Sequence, residues 1–312
     1  MDSPVLFLVF NRPDTTARVF ESIRQAQPPR LYVAADGPRA SRVGEAARCA
    51  QVRALATAVD WPCEIRTLFR DENLGCKCAV SGAIDWFFAN EPEGIILEDD
   101  ILPDPSFFRY CDELLARYRD DTTVSMISGC NLIGDRHGAD SSYMLSHYMH
   151  IWGWASWRRA WTHYDVDMTG WADPAAKNKL AALLGNRPRA IAYWTGIFDQ
   201  MAAGAIDTWD YQWVFAAWMH DMVATIPAQS LIGNIGFGAD ATHTTGDMPD
   251  AVRDAQPRPM AFPLRHPVPG DVTAIDRLVE HHALGLSAGN ALKARLAQIP
   301  LLQQAVRALR GA

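Results

Sequence analysis

The chain has 312 residues, with 29 Lys and Arg against 36 Asp and Glu, for a formal net charge of −7. Hydrophobic residues make up 49% and charged residues 21%, a globular composition that excludes disorder, collagen-like repeats and coiled coil. The acidic balance argues against general nucleic-acid binding, which needs a basic face, and no apolar run approaches the ~20 residues that span a bilayer.

The opening MDSPVLFLVFNRP carries no basic n-region, so no signal peptide is expected there and a cytoplasmic setting is the default. Pro4 to Phe10 is a continuous apolar run, as expected of a buried parallel strand. Asn11-Arg12-Pro13-Asp14 breaks it, and a helix follows to about Ala26, with Ala17, Phe20 and Ile23 on one face. Leu31 to Ala35 predicts a second strand, ending at the turn Asp36-Gly37-Pro38. Ser41 to Val59 reads as a helix, Cys63 to Phe69 as a strand, Cys78 to Phe88 as a helix and Gly94 to Leu97 as a strand. That strand runs into Glu98-Asp99-Asp100. Asp104 and Pro105 begin a helix with Phe107, Cys111, Leu114 and Tyr118 on one face, and Val124 to Ile127 is a fifth strand.

Alternating strands and helices predict a parallel sheet with right-handed crossovers, whose ligands lie beyond the carboxyl ends of the strands. Asn11-Arg12, Asp36-Gly37 and Glu98-Asp99-Asp100 all fall at such ends, so these groups should converge on one edge. The second half differs. Nine of the eleven tryptophans lie between Trp152 and Trp218, which concentrates the aromatic surface there. Helices are expected over Ala155–Tyr164, Pro174–Leu184, Arg189–Ala203 and Trp209–His220. Met248 to Pro269 is proline-rich and reads as an extended arm. After His281 come Lys293, Arg295, Arg307 and Arg310 with no acid. The six cysteines lack zinc spacing and are expected as free thiols.

The acidic triplet is the sharpest chemical feature. Adjacent carboxylates repel one another unless a cation or donors compensate, and oxygen-rich clusters suit Mg²⁺ or Mn²⁺ bridging substrate phosphates. The competing reading is solvated charges at a strand end. Asp36 is either a turn residue or a ligand contact, Arg12 pairs with a phosphate or with Asp14, and Lys77 is a phosphate contact or a solvated lysine. Trp209-Asp210-Tyr211-Gln212-Trp213 places a carboxylate among rings that suit sugar stacking, where Asp210 is either a base or a helix cap. Asp207 competes for the base role, and His243 is a metal or phosphate ligand or a structural hydrogen-bonder.

These residues resemble the N-acetylglucosaminyltransferase I family. GIILEDDILPDPSFFRYCDELL resembles its strand, E-D-D and following helix; PVLFLVFNRPDTTARVFESI resembles its first strand and helix, with Arg12 in place. AADGP, HIWGWASWRRAW, TWDYQW and NIGFGADATHT resemble, in order, its Asp turn, acceptor-side segment, W-D-D-W motif and closing F-G…H segment. The resemblance runs from Pro4 to about Thr245. It implies a GT-A (Rossmann-like) three-layer α/β fold with a mainly helical, Trp-rich acceptor side. Residues 1–130 would form the nucleotide-sugar half, 131–247 the acceptor and catalytic half, and 248–312 an arm and basic amphipathic tail.

The implied activity is a metal-dependent, inverting transfer from a UDP-sugar to a glycan or lipid-linked acceptor. By resemblance, Arg12, Asp36 and Lys77 contact the nucleotide, and Glu98 and Asp99 hold ribose and sugar. Asp100 and His243 would ligate Mn²⁺ or Mg²⁺, Asp210 would be the base, and Trp152, Trp154, Trp157 and Trp209 would line the acceptor side. TWDYQW has one Asp and one extra residue relative to W-D-D-W, which leaves Asp207 in contention. The basic tail, 286–312, is expected either to touch anionic lipid peripherally or to pack on the domain. The alternatives are a sugar nucleotidyltransferase, whose glycine-rich loop is missing after the first strand, and a non-catalytic carbohydrate-binding protein.

Overall fold

The computed structural model describes residues 1–138, 140–236, 255–268, 270 and 272–286. His243 and the tail from 287 onward lie outside these residues. Strands β1 (Val5–Val9), β2 (Arg30–Ala35), β3 (Glu64–Phe69) and β4 (Glu93–Glu98) alternate with helices α1 (Pro13–Ala26), α2 (Glu45–Ala56) and α3 (Gly75–Asn90). A short β5 (Ile101–Pro103), α4 (Ser106–Arg117) and β6 (Val124–Ser128) follow. Then come β7 (Tyr143–Ser146), β8 (Trp154–Trp157) and the helices α5 (Arg158–Trp161), α6 (Pro174–Leu183), α7 (Pro188–Ala202) and α8 (Asp210–Met219). Strands β9 (Val223–Pro227) and β10 (Ile232–Asn234) and helix α9 (Thr273–His282) complete the described chain.

Eight strands form one sheet in the order β3-β2-β1-β4-β8-β6-β9-β7, while β5 and β10 pair separately. Strands β1 to β4 are mutually parallel, β8 is antiparallel to both β4 and β6, and β9 is parallel to β6. The result is a mostly parallel α/β sheet with helices on both faces, the Rossmann-like, three-layer GT-A architecture expected from the sequence.

The unbroken apolar character of β1 follows from burial on both faces. Leu6 and Leu8 pack on one side with Ala83, Ile84, Phe87 and Phe88 of α3. Val5, Phe7 and Val9 pack on the other with Val19, Phe20 and Ile23 of α1 and Leu114 and Leu115 of α4. Strand β3, at the edge, is mostly exposed, and Glu64 and Arg66 alternate along it, the charge pattern that blunts an open edge.

The second half is less helical than expected. The predicted helix over Ala155–Tyr164 is replaced by β8 and the single turn α5. The segment Trp-Ala-Ser-Trp has a period of two. Trp154 enters one core and Ala155 and Trp157 the other, which suits a strand in the middle of a sheet. Ser156 is neutralised inside the core by donating to the Ser125 carbonyl at 2.6 Å. The sheet therefore continues across residue 130, with strands from both halves interleaved.

The proline-rich arm, where described, is strapped to the domain. Arg258 N donates to Ser230 O at 2.8 Å, Met260 N to Ser106 Oγ at 2.8 Å and Arg265 N to Ser142 Oγ at 2.9 Å. Helix α9 docks through two buried acids. Asp276 accepts from Ser146 Oγ at 2.7 Å and pairs with His147 Nδ1 at 2.7 Å; Glu280 accepts from Tyr148 at 2.6 Å and pairs with Arg187 at 2.6 Å. Among the described residues no helix is long and apolar enough to cross a membrane.

Candidate active site

In the strand order, β1 lies between β2 and β4, so the order reverses at β1, the kind of point beyond whose carboxyl ends such sheets bind ligands. The parallel register sets Leu8 beside Glu98, which brings the Phe10–Arg12 loop against the acidic triplet. Asp99 is buried, 3% exposed, and accepts from Phe10 N at 3.1 Å and from Arg12 Nη2 at 2.5 Å. The other Arg12 nitrogen pairs with Asp100 Oδ2 at 3.0 Å. One guanidinium thus contacts two carboxylates directly and acts on the third, Glu98, only through its charge.

The electrostatics follow from that imbalance. Burial pushes Asp99 up to about 6, with Asp100 adding to the rise and Arg12 opposing it. Burial pushes Glu98 up to about 8, and the charges of Asp100, Asp99 and Asp210 push in the same direction. The charge of Asp210, at the start of α8, is felt by Glu98, at the end of β4. Cys76, at the start of α3, shares this space: burial raises its thiol to about 12, followed by Glu98, Asp207, Asp210 and Asp36.

The two aspartates ahead of α8 sit differently. Asp207 accepts from the backbone amides of Cys76 at 3.2 Å and Lys77 at 3.0 Å. Asp210 opens α8, accepts from Thr208 Oγ1, and its charge raises Tyr211 and Tyr193 after burial has done so. Asp36 is saturated by loop amides: Gly37 at 2.9 Å, Leu74 at 3.0 Å, Gly75 at 3.2 Å and the Asn73 side chain at 2.8 Å. It holds the 72–75 loop against the end of β2. Gly37 is required there, because a Cβ would lie 2.3 Å from the Glu72 carbonyl carbon. The Lys77 ammonium lies 3.5 Å from Asp167, rather than reaching the triplet.

The tryptophan expectation needs correction. Trp154, Trp157 and Trp209 are 1%, 1% and 2% exposed, so they are core side chains and do not line an acceptor surface. Trp154 stacks on Trp209 at 5.6 Å, and Trp161 on Tyr164 at 4.2 Å, in a packed aromatic layer beneath the site. Trp152 alone of the four is partly exposed, at the start of β8 beside β4.

One residue of the site was not singled out from sequence. Strand β10 pairs with β5, and Ile235 N donates to Asp100 O at 2.8 Å. Gly236 is thereby pressed onto the ion pair: a Cβ there would lie 2.1 Å from Asp100 Oδ2 and 2.8 Å from Arg12 Nη1. Its signal is a single glycine in Asn-Ile-Gly-Phe-Gly, and only the pairing of two short, distant strands gives it meaning.

A divalent cation can be tested against this donor set. Among the described residues no three His, Cys, Asp or Glu side chains form a closed cage. Mg²⁺ commonly takes only one or two carboxylates together with substrate phosphates and water. Asp100 and Glu98 offer carboxylates of that number, and three acids sharing one guanidinium leave an excess of negative charge that favours a cation.

No family model matches the chain, and no curated protein matches it in sequence. Solved structures that resemble parts of it include HddC from Yersinia pseudotuberculosis, at 10% identity and TM-score 0.27, covering 40% of this chain and 56% of that one. UDP-glucose pyrophosphorylase complexed with UDP-glucose matches at 11% identity and TM-score 0.28, covering 48% and 64%. Mouse xyloside xylosyltransferase 1 matches at 11% identity and TM-score 0.34, covering 71% and 84%. The chain thus spans less than two thirds of the length of the first two.

Proposed function

We propose that this chain is a GT-A-type glycosyltransferase that moves a sugar from a nucleoside-diphosphate donor, UDP-linked by the sequence resemblance, to a glycan or lipid-linked hydroxyl. The carrying observation is the acidic triplet at the end of β4, held by Arg12 from the end of β1, with Gly236 pressed onto the Arg12–Asp100 pair. The carboxyl edge beyond β1 and β4 is where such a sheet receives a nucleotide. Arg12 orients Asp99 and Asp100 from one side, and Gly236 closes on them from the other.

In this reading Asp210 accepts the proton of the acceptor hydroxyl as its oxygen attacks the anomeric carbon. The bond from that carbon to the diphosphate oxygen breaks on the opposite face, and the nucleoside diphosphate leaves, inverting the centre. Asp100, with Glu98, would hold Mn²⁺ or Mg²⁺, which as a Lewis acid stabilises the leaving diphosphate.

The test is nucleotide release from a panel of UDP-, GDP- and dTDP-sugars, with Mn²⁺ or EDTA, beside Asp100→Ala. Metal-dependent release from one donor, lost in the variant, supports the proposal. Formation of nucleoside triphosphate from pyrophosphate would replace it with a nucleotidyltransferase. Sugar binding with no nucleotide binding by calorimetry would replace it with a carbohydrate-binding protein.

A further inference from the structure

We propose that Asp207 is a positioning residue, which ties the segment bearing Asp210 to the N-terminus of α3 and so holds Asp210 near the acidic triplet. The inference rests on reading Asp210 as the base.

Asp207 and Asp210 are both acids ahead of or at the first turn of α8, and local sequence does not rank them. Their surroundings do. Helix α3 has 16 residues, and the residue at its N-cap, Leu74, offers no side-chain cap. The first amides of a helix are orphan donors at the positive end of its dipole. Asp207 supplies the missing acceptor from a segment 130 residues away, one oxygen on Cys76 N at 3.2 Å and the other on Lys77 N at 3.0 Å. Each oxygen accepts one backbone N–H, which turns the carboxylate toward the start of α3.

The fit is close on the α3 side. Gly75 has φ +78, and a Cβ there would stand 2.8 Å from Asp207 Oδ2. A glycine therefore serves both the left-handed turn into α3 and the approach of the carboxylate. On the α8 side, Thr208 Oγ1 donates to Asp210, Gln212 Nε2 donates to Thr208 O at 2.8 Å, and Tyr164 donates to Trp209 O at 3.1 Å. Those bonds make residues 208–212 a stiff unit. The Asp207 bonds cross from that unit to the nucleotide half, on the helix whose Cys76 lies among Glu98, Asp207 and Asp210.

The experiment compares Asp207→Ala, Asp207→Asn and Asp210→Asn by amide hydrogen exchange and by steady-state kinetics over pH. In Asp207→Ala, exchange at Cys76, Lys77 and 209–213 should rise roughly 5- to 30-fold, the factor that loss of a one-to-two kcal/mol cap confers. Its kcat should fall roughly 10- to 100-fold through misplacement of Asp210, with donor KM and the pH midpoint retained. Asp207→Asn keeps one of the two acceptors and should recover part of both losses. Asp210→Asn should lose kcat with exchange at Cys76 and Lys77 unchanged. Unchanged exchange at 209–213 in Asp207→Ala would overturn the inference. So would an Asp207→Asn enzyme as inactive as Asp210→Asn, with the acid limb of its pH profile lost, since Asp207 would then be the base. If the wild type turns over no nucleotide sugar, the functional proposal falls alone, and exchange at 209–213 still decides the tie.

Discussion

Replacing Glu98 by Gln should stabilise the ligand-free protein, and only at high pH. Glu98 rises from 4.5 to about 8 because burial, Asp100, Asp99 and Asp210 all disfavour its charge. The sign follows from proton binding: between those values the folded chain holds a proton that the unfolded chain has released. Its stability contribution is therefore complete below pH 4.5 and is lost as pH rises through about 8. Each pH unit of displacement corresponds to about 1.36 kcal/mol, which sets an upper bound of about 5 kcal/mol above pH 8. Glu98 is only partly buried by surface area, and cleft water screens it, so about 2 kcal/mol is the working figure. At about 2 °C per kcal/mol for a chain of this size, Glu98→Gln should melt roughly 4 °C higher at pH 8.5. At pH 5 the carboxyl is already protonated and the two proteins should melt together. Scanning fluorimetry at both pH values with EDTA reads this directly. Equal differences at the two pH values, or a lower melting point at pH 8.5, would refute the picture of a carboxylate whose charge the fold disfavours.

Three other substitutions probe further parts of the structure. Gly236→Ala, which drives a methyl into the Arg12–Asp100 pair, should lose roughly 1–3 kcal/mol of stability and more than tenfold in donor turnover. Gly196→Ala, in open space on α7, should lose neither, as paired melting and turnover assays would show. Trp154→Ala should lower stability by about 3–5 kcal/mol, as for any large buried ring, and urea denaturation checks it. A loss confined to acceptor KM would instead return Trp154 to the acceptor surface.

The first half of the chain was legible because its cues are local. Buried parallel strands are continuous apolar runs, and Asn-Arg-Pro and Asp-Gly-Pro mark the ends of β1 and β2, so β1 to β4 and their helices could be placed within a few residues. Convergence of Arg12, Asp36 and Glu98–Asp100 on one edge then followed from element order. The second half was harder for a physical reason. The strand Trp154–Trp157 is four residues long, too short to separate a period of two from a helical repeat, and its aromatic content suits either. Its place between β4 and β6 comes from pairing partners far away in the chain. The division of labour between Asp207 and Asp210 was equally hidden, since it depends on a helix N-terminus 130 residues upstream.

The docking of α9 sets where the folded unit ends. Asp276 and Glu280 are 3% and 8% exposed, and their partners His147, Tyr148 and Arg187 belong to the body of the fold. A chain cut before Thr273 would strip countercharges from groups that the fold has already enclosed, and water would have to enter to replace them. A chain cut after Leu286 would leave every one of these contacts intact. The scaffold therefore reaches at least through α9, although composition alone would end it at the proline-rich arm.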